Sequence, residues 1–258
     1  MFLRALFWLF LFLVVSPSFA STPYEARVSV PVADLRKEPS EPEASMDHDP
    51  LEESQLLYGD PVRVLEATEG WARVEALDQL EWNHHERWEG YPGWMRLSDL
   101  SSDEGTLKPA KAAPATDIDA QRKAIIQTAR EFIGTPYYWG GRSRYDPNAK
   151  MPPHRGVDCS GLTGLAYQSN GITIPRDAHE QWMKARAITR EELQPADFIF
   201  FSDPKNPEKI THVMLYAGEG NVIEAPGTGK NVREIDLESR LKEAEADSRR
   251  VYYGTFLR

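Results

Sequence analysis

The stretch HRGVDCSGLTGLAYQSNGITIPRDA, residues 154–178, holds Cys159, the single cysteine of a 258-residue chain. Within it, CSGLTGLAYQSNG has helical spacing: Leu162, Leu165 and Ala166 share one face, and Asn170-Gly171 closes the run. Cys159 therefore opens a helix, where unpaired N–H groups and the positive end of the helix dipole favour an anion. A thiolate is the nucleophilic form of cysteine, and this position is expected to lower the thiol pKa. Glycines at 156 and 161 are expected to let the backbone approach a substrate closely.

Outward from that helix the periodicity continues to inform. Upstream, DAQRKAIIQTAREFIG places Ala124, Ile125, Ala129, Phe132 and Ile133 on one helical face, with Gly134 as a C-terminal stop. Downstream, a third helix begins at Asp177, where Glu180 completes a capping-box-like pattern. Four strand-like runs follow: DFIFFS, THVMLYAG, NVIEA and RVYYGTFL. Helices followed by a strand meander predict an α+β domain over 118–258.

Residues 101–117, SSDEGTLKPAKAAPATD, lack apolar periodicity and form a predicted linker. Before it, 21–100 carries short alternating runs such as Val62/Val64 and Trp71/Val74, which predict a small all-β barrel. The acidic insert KEPSEPEASMDHDPLEES within it is expected to be a solvated loop. Residues 1–20, MFLRALFWLFLFLVVSPSFA, have an early charge at Arg4, a short apolar run and a small-residue site ending at Ala20, the anatomy of a signal peptide. The expectation is an exported monomer, periplasmic or secreted after cleavage near Ala20, with no membrane partner. A formal net charge of −10 argues against nucleic acid as a partner. An exported chain with one cysteine has no internal disulfide, and its lone thiol is easiest to explain by use.

A cysteine nucleophile needs a base. His212 lies in ITHVMLY, a strand that would hold its ring rigidly, whereas His48, His84, His85, His154 and His179 fall in loops or at a helix rim. None has the spacing of a metal site, one cysteine offers no second soft ligand, and no cofactor is implied. The base in turn needs a polar group on its other nitrogen, and Glu224 on the next strand can face it across the pair. APGTGKN lacks the residues of a phosphate-binding loop and is rejected as one.

The ordered motifs GTPYYWGG (134–141), DCSG (158–161), GITIPRDA (171–178), LQPADFIFF (193–201) and THVMLYAGEGNVIEAP (211–226) resemble the NlpC-type cell-wall cysteine peptidases. The resemblance implies a papain-like α+β core in which Cys159 attacks, His212 is the base, Glu224 orients it and Tyr137 lies near the nucleophile to assist the oxyanion. ESQLLYGDPVRVLE (53–66), GWARV (70–74) and GYPGWM (90–95) are similar to the bacterial SH3-like barrel that precedes the catalytic domain in one subgroup. That subgroup comprises γ-D-glutamyl-L-diamino-acid endopeptidases acting on murein peptides. By motif position, Glu53, Tyr91 and Asp158 would hold a free N-terminal amine of the substrate, with Ser160 beside them. Three departures stand out: Glu224 where histidine is common, Ala178 where serine follows PRD, and a long connection over 142–156 whose Arg142, Arg144 and Arg155 could meet an acidic peptide. Two other classes stay open: a different acyl-transfer enzyme such as a muramoyl-L-alanine amidase, and a wall-binding protein with an idle catalytic domain.

Overall fold

The computed structural model describes residues 22–42, 48–102, 114, 115, 117–144 and 155–257. The predicted signal peptide, most of the predicted linker, His154 and most of the 142–156 connection lie outside the described residues. The first unit contains β1 (Tyr24–Val28), β2 (Val32–Arg36), β3 (Glu52–Leu57), β4 (Pro61–Thr68), β5 (Trp71–Trp82), β6 (Trp88–Arg96) and β7 (Leu100–Ser101). They form one antiparallel sheet in the order β3-β2-β6-β5-β4-β1-β7. Alternate residues point into its core, including Val62, Val64, Ala72, Val74 and Met95.

One expectation fails here. The acidic insert is not wholly a solvated loop, because its end becomes β3 and its Asp49 and Glu52 are buried. Arg36, itself buried, supplies the reason: its Nη1 lies 2.8 Å from Asp49 and 3.4 Å from Glu52. A charge taken out of water is tolerated when paired.

The second unit contains α1 (Ile118–Arg130), α2 (Cys159–Gln168), α3 (Ala178–Lys184), β8 (Arg186–Ala187), β9 (Phe198–Ser202), β10 (Ile210–Gly218), β11 (Asn221–Glu224), β12 (Arg233–Asp236), α4 (Leu237–Ala246) and β13 (Val251–Thr255). Its six strands are ordered β12-β11-β10-β9-β13-β8. Strand β9 is buried on both faces: Phe198 and Phe200 join the core beneath α1 and α2, while Ile199 and Phe201 join a second cluster with Leu237 and Ala244 of α4. The predicted inward face of α2 is buried as expected, and Asp158 caps its N-terminus by accepting from Gly161 N at 2.6 Å. The capping box expected at Asp177 does not form. The Asp177 carboxylate is instead on the Tyr91 hydroxyl, in the other unit.

That contact belongs to a polar seam between the units. Between Ala76 and Leu80 the β5–β6 register shifts, bulging out three residues and sending Gln79 into the interface. Gln79 accepts from Ser54 Oγ at 2.6 Å and donates to Gln55 O at 2.8 Å. Beyond the bulge, Leu80 O accepts from Arg176 N at 2.9 Å. The Arg176 guanidinium, almost wholly buried, donates to Ser54 Oγ at 2.7 Å, to Asp158 Oδ2 at 2.7 Å and to Ser160 Oγ at 2.9 Å. Arg142, also buried, donates to Gln55 O at 3.0 Å and to Gln168. Arg142 therefore does not meet a peptide; it joins the units, while Arg144 pairs with Glu131 and Arg155 donates to Tyr138 Oη at 2.7 Å.

Removing Arg176 leaves Asp158 buried without its cation. Arg176→Met is expected to lower the unfolding free energy by about 3–5 kcal/mol, measured by urea denaturation at fixed pH. A loss under about 1 kcal/mol would show that the ion pair does not hold the seam.

Candidate active site

Cys159 is the first residue of α2 and is 8% exposed. The tight turn before it depends on glycine: a Cβ on Gly161 would meet Gly141 O at 2.1 Å, and one on Gly156, at φ +135°, would meet Pro136 O at 2.1 Å. These glycines thus admit the chain's own GTPYYWGG loop rather than a substrate. Through that packing Tyr137 bridges to Val157, two residues before the nucleophile. Burial, and then the nearby Cys159 and Asp158, keep the Tyr137 hydroxyl protonated and hence able to donate.

The thiol does not follow the sequence expectation of a lowered pKa. Burial, and then the negative charge of Asp158, push it up to about 12, against the opposing pull of Val213 N–H, Arg176 and Ser160 N–H. The helix N-terminus is real, but Asp158 already occupies it. Cys159 therefore rests as a thiol, and a reaction at its sulfur would need a base to take the proton.

His212 sits on β10 opposite Phe201, and the thiol lies against the backbone N–H of the next residue, Val213. Continuing the Leu215–Ile223 register puts Glu224 beside Met214, on the same face as His212 and diagonal to it. There Glu224 Oε2 meets His212 Nε2 at 2.8 Å. Nδ1 is left as the nitrogen able to accept a proton. Glu224 is 0% exposed. Its other oxygen accepts from Arg233 Nε at 2.9 Å and Nη2 at 2.7 Å, and Arg240 Nε stands 3.0 Å from it without hydrogen-bond alignment. Burial works against the charge, but the His212 hydrogen bond and the arginines bring the carboxyl down to about 2.

The residues expected to hold an amine separate. Tyr91 Oη lies 3.1 Å from Glu53 Oε2 and 3.1 Å from Asp177 Oδ2, so Glu53 and Tyr91 do meet. Asp158 does not join them. Both its oxygens are filled, by Gly161 N and Arg176 Nη1 on one side and by Gly140 N and Arg176 Nη2 on the other, and Ser160 Oγ is held in the same network. The second acid at Tyr91 is Asp177, whose carboxyl burial pushes up. Glu81 nearby is raised to about 7 by burial and by Asp177, Glu180, Glu53 and Glu89. Lys37 lies 3.1 Å from Glu53, on a groove of about 360 Å³ that also takes in Glu81, Tyr91 and Trp94. Ala178, where a serine contact was expected to be missing, is buried in the core cluster that includes Cys159. No group of metal-ligating side chains occurs among the described residues.

The NlpC/P60 family matches residues 134–250, which include the thiol, the imidazole and the carboxylate behind it. Residues 134–250 are an NlpC/P60 domain. A gamma-D-glutamyl-L-lysine dipeptidyl-peptidase of Bacillus cereus is 35% identical to this chain over 151 residues, covering 57% of the chain and 39% of the relative. Its namesake in Bacillus subtilis is 31% identical over 153 residues, covering 59% and 48%. The chain thus spans less than half the length of these relatives. The crystal structure of an NlpC/P60 family protein from Bacillus cereus superposes with a TM-score of 0.69 at 22% identity, covering 91% of this chain and 100% of that one. That likeness is one of fold, and it extends over the N-terminal β unit as well as the papain-like NlpC/P60 domain. Arg176, Asp177, Arg233 and Arg240 were not singled out by sequence; the PRD motif flagged the first two without their partners.

Because Cys159 is the only cysteine, alkylation reports on it alone. With the thiol near 12, iodoacetamide incorporation is expected to be slow at neutral pH and to rise about tenfold per pH unit above it; a rate plateau between about pH 6 and 8 would reveal a preformed thiolate instead. Glu224 gives a second check. Its carboxyl falls from 4.5 to about 2 on folding, so the stability it contributes is present above pH 4.5 and is lost as pH falls through 2. Glu224→Gln is expected to remove on the order of 3 kcal/mol of that acid dependence in denaturant titrations.

Proposed function

We propose that this protein is a cysteine peptidase that hydrolyses the bond between γ-D-glutamate and a diamino acid in cell-wall stem peptides with a free N-terminal amine. The observation that carries the reading is the buried His212–Glu224 pair beside a lone thiol at a helix start. The names of the two Bacillus relatives support the bond, and the match to the NlpC/P60 family supports the class.

Cys159 Sγ attacks the γ-carbonyl carbon while His212 Nδ1 takes the thiol proton. The carbonyl oxygen becomes an oxyanion, which the Tyr137 hydroxyl and the N–H groups at the start of α2 stabilise. The intermediate collapses as the C–N bond breaks and His212 returns the proton to the leaving amine. The thioester that remains is hydrolysed by water, which gives a proton to His212 and its hydroxide to the acyl carbon; Cys159 leaves and is reprotonated. Glu224 holds His212 in the Nε2–H tautomer throughout.

The amine is read at the groove that takes in Glu53, Glu81 and Tyr91. Glu53, Asp177 and the Tyr91 hydroxyl converge, with Glu81 adding a carboxyl that burial, and then the neighbouring acids, raise to about 7. Among the described residues, the three acids there pair only with Lys37 and with an Arg176 already held by Asp158, an excess of acid that favours an ammonium and disfavours an acylated, neutral N-terminus. Asp177 replaces Asp158 in this role. The N-terminal unit is then part of the enzyme, and the leader-like residues 1–20 fit action outside the cytoplasm.

Cys159→Ala and His212→Ala are expected to abolish release of L-Ala-γ-D-Glu from L-Ala-γ-D-Glu-diaminopimelate, followed by mass spectrometry; retained hydrolysis would sink the mechanism. Acetylating the substrate amine, or substituting Asp177→Asn, is expected to raise KM by about 10-fold or more with a smaller effect on kcat. An unchanged KM in both would remove the amine site. Intact sacculi should be cut far more slowly than the free tripeptide, and the reverse order would favour an amidase.

A further inference from the structure

We propose that Arg233 and Arg240 are positioning residues for the base, acting on His212 through Glu224. The inference rests on the reading of Cys159 and His212 as the reacting pair. Glu224 divides its two oxygens: Oε2 meets His212 alone, and Oε1 is taken by both guanidiniums. A carboxylate wholly removed from water has a strong tendency to bind a proton, because desolvation penalises its charge. Were it protonated, it would donate to His212 Nε2 instead of accepting from it. The ring would then carry its remaining proton on Nδ1, and no lone pair would face the thiol.

Four charged or titratable groups decide which state holds. They are His212 from β10, Arg233 from β12, Arg240 from α4, and Glu243, which pairs with Arg240 on its own helix. The balance at Glu224 is two cations to one anion, and Glu243 offsets part of it from the solvent side, its side chain being 58% exposed. Arg233 grips Oε1 through two hydrogen bonds, so that with Oε2 on His212 both oxygens are tied. Arg240 has a second contact that a simple counterion would not need. Its guanidinium carbon lies 5.2 Å from the Phe201 ring centroid, and Phe201 in turn packs against the His212 ring at 6.0 Å. Arg240 therefore touches both the carboxylate behind the imidazole and the aromatic ring beside it. The arrangement fixes the tautomer and the orientation of the base together.

The clamp is tested without relying on turnover by long-range proton–nitrogen correlation of the histidine rings at pH 7.5, with His212→Gln to assign the signal. The protein as it stands is expected to show Nε2 protonated and Nδ1 bare. Arg233→Met/Arg240→Met is expected to lose that signature. It should also lower kcat by about 10²–10³-fold, with KM for L-Ala-γ-D-Glu-diaminopimelate within about threefold. The acidic limb of its kcat/KM profile should move to higher pH, because Glu224 then takes up its proton earlier as pH falls. Arg240→Lys, which keeps the charge, should recover most of the rate. On a Glu224→Gln background the arginine substitutions should add little further loss.

An unchanged tautomer with kcat within about threefold, or full additivity on the Glu224→Gln background, would overturn the proposal. If the double variant does not fold, Arg240→Met alone carries the same readouts. Absence of hydrolysis by the unsubstituted protein would refute the peptidase reading, while the ring-nitrogen spectrum would still decide the clamp.

Discussion

The ion pair between Arg176 and Asp158 is the constraint on which the rest depends. Asp158 caps the helix that begins with the nucleophile, and Arg176 holds both of its oxygens while reaching Ser54 in the other unit. One guanidinium thereby fixes where Cys159 starts, where Ser160 points and how the β unit docks. A buried pair of this kind contributes little net stability over an apolar substitute, but it is very sensitive to loss of one member. Its value lies in specifying one geometry. The Gln79 bulge and the Arg142 contacts complete the same seam, so the nucleophile loop is built partly from residues of the N-terminal sheet.

Charge is distributed unequally about this frame. Carboxylates at the reacting centre have cations of their own: Asp158 has Arg176, and Glu224 has Arg233 and Arg240. Across the interface, Glu81 has no ion pair among the described residues and Asp177 only shares Arg176, 3.7 Å away, with Asp158, and both carboxyls are raised. The first arrangement keeps Glu224 ionised; the second leaves a demand for further positive charge. A free amine binding at Glu53, Tyr91 and Asp177 would satisfy that demand without disturbing the base.

The parts of this design legible in the sequence were those carried by local pattern. The strands from Phe198 and Ile210, the helix at Cys159 with Leu162 and Leu165 inward, and the pairing of His212 with Glu224 all follow from periodicity and strand adjacency. What escaped was set by partners distant in sequence. The carboxylate of Asp158 faces its own cap and an arginine, while that of Asp177 leaves its cap for Tyr91, and nothing in the local pattern DCSG or PRDA distinguishes those fates. The rise in the Cys159 pKa was missed for the same reason, since burial and the adjacent acid outweigh the helix terminus only in three dimensions. The apolar positions of LESRLKEAEA are few, which hides α4 and with it Arg240, although Asp236 before it accepts from Ser239 N as an N-cap should. The acidic insert misled in the opposite direction: its composition suggested solvent, and Arg36 drew its end into the sheet.

The seam also has a consequence for the order of assembly. Arg176 and Ser54 lie 122 residues apart in the chain, Arg142 and Gln55 lie 87 apart, and Tyr91 and Asp177 lie 86 apart. Contacts of such separation close large loops and form late and slowly. During synthesis the strands bearing Ser54, Gln55 and Tyr91 emerge first, and Arg176, Arg142 and Asp177, which bind them, arrive only with the second half. A chain that has folded only one unit lacks the contacts that cross the seam, and the Tyr91–Asp177 pair of the proposed amine site cannot form. A nascent or truncated chain is therefore expected to lack the proposed amine site even though its cysteine and histidine are both present.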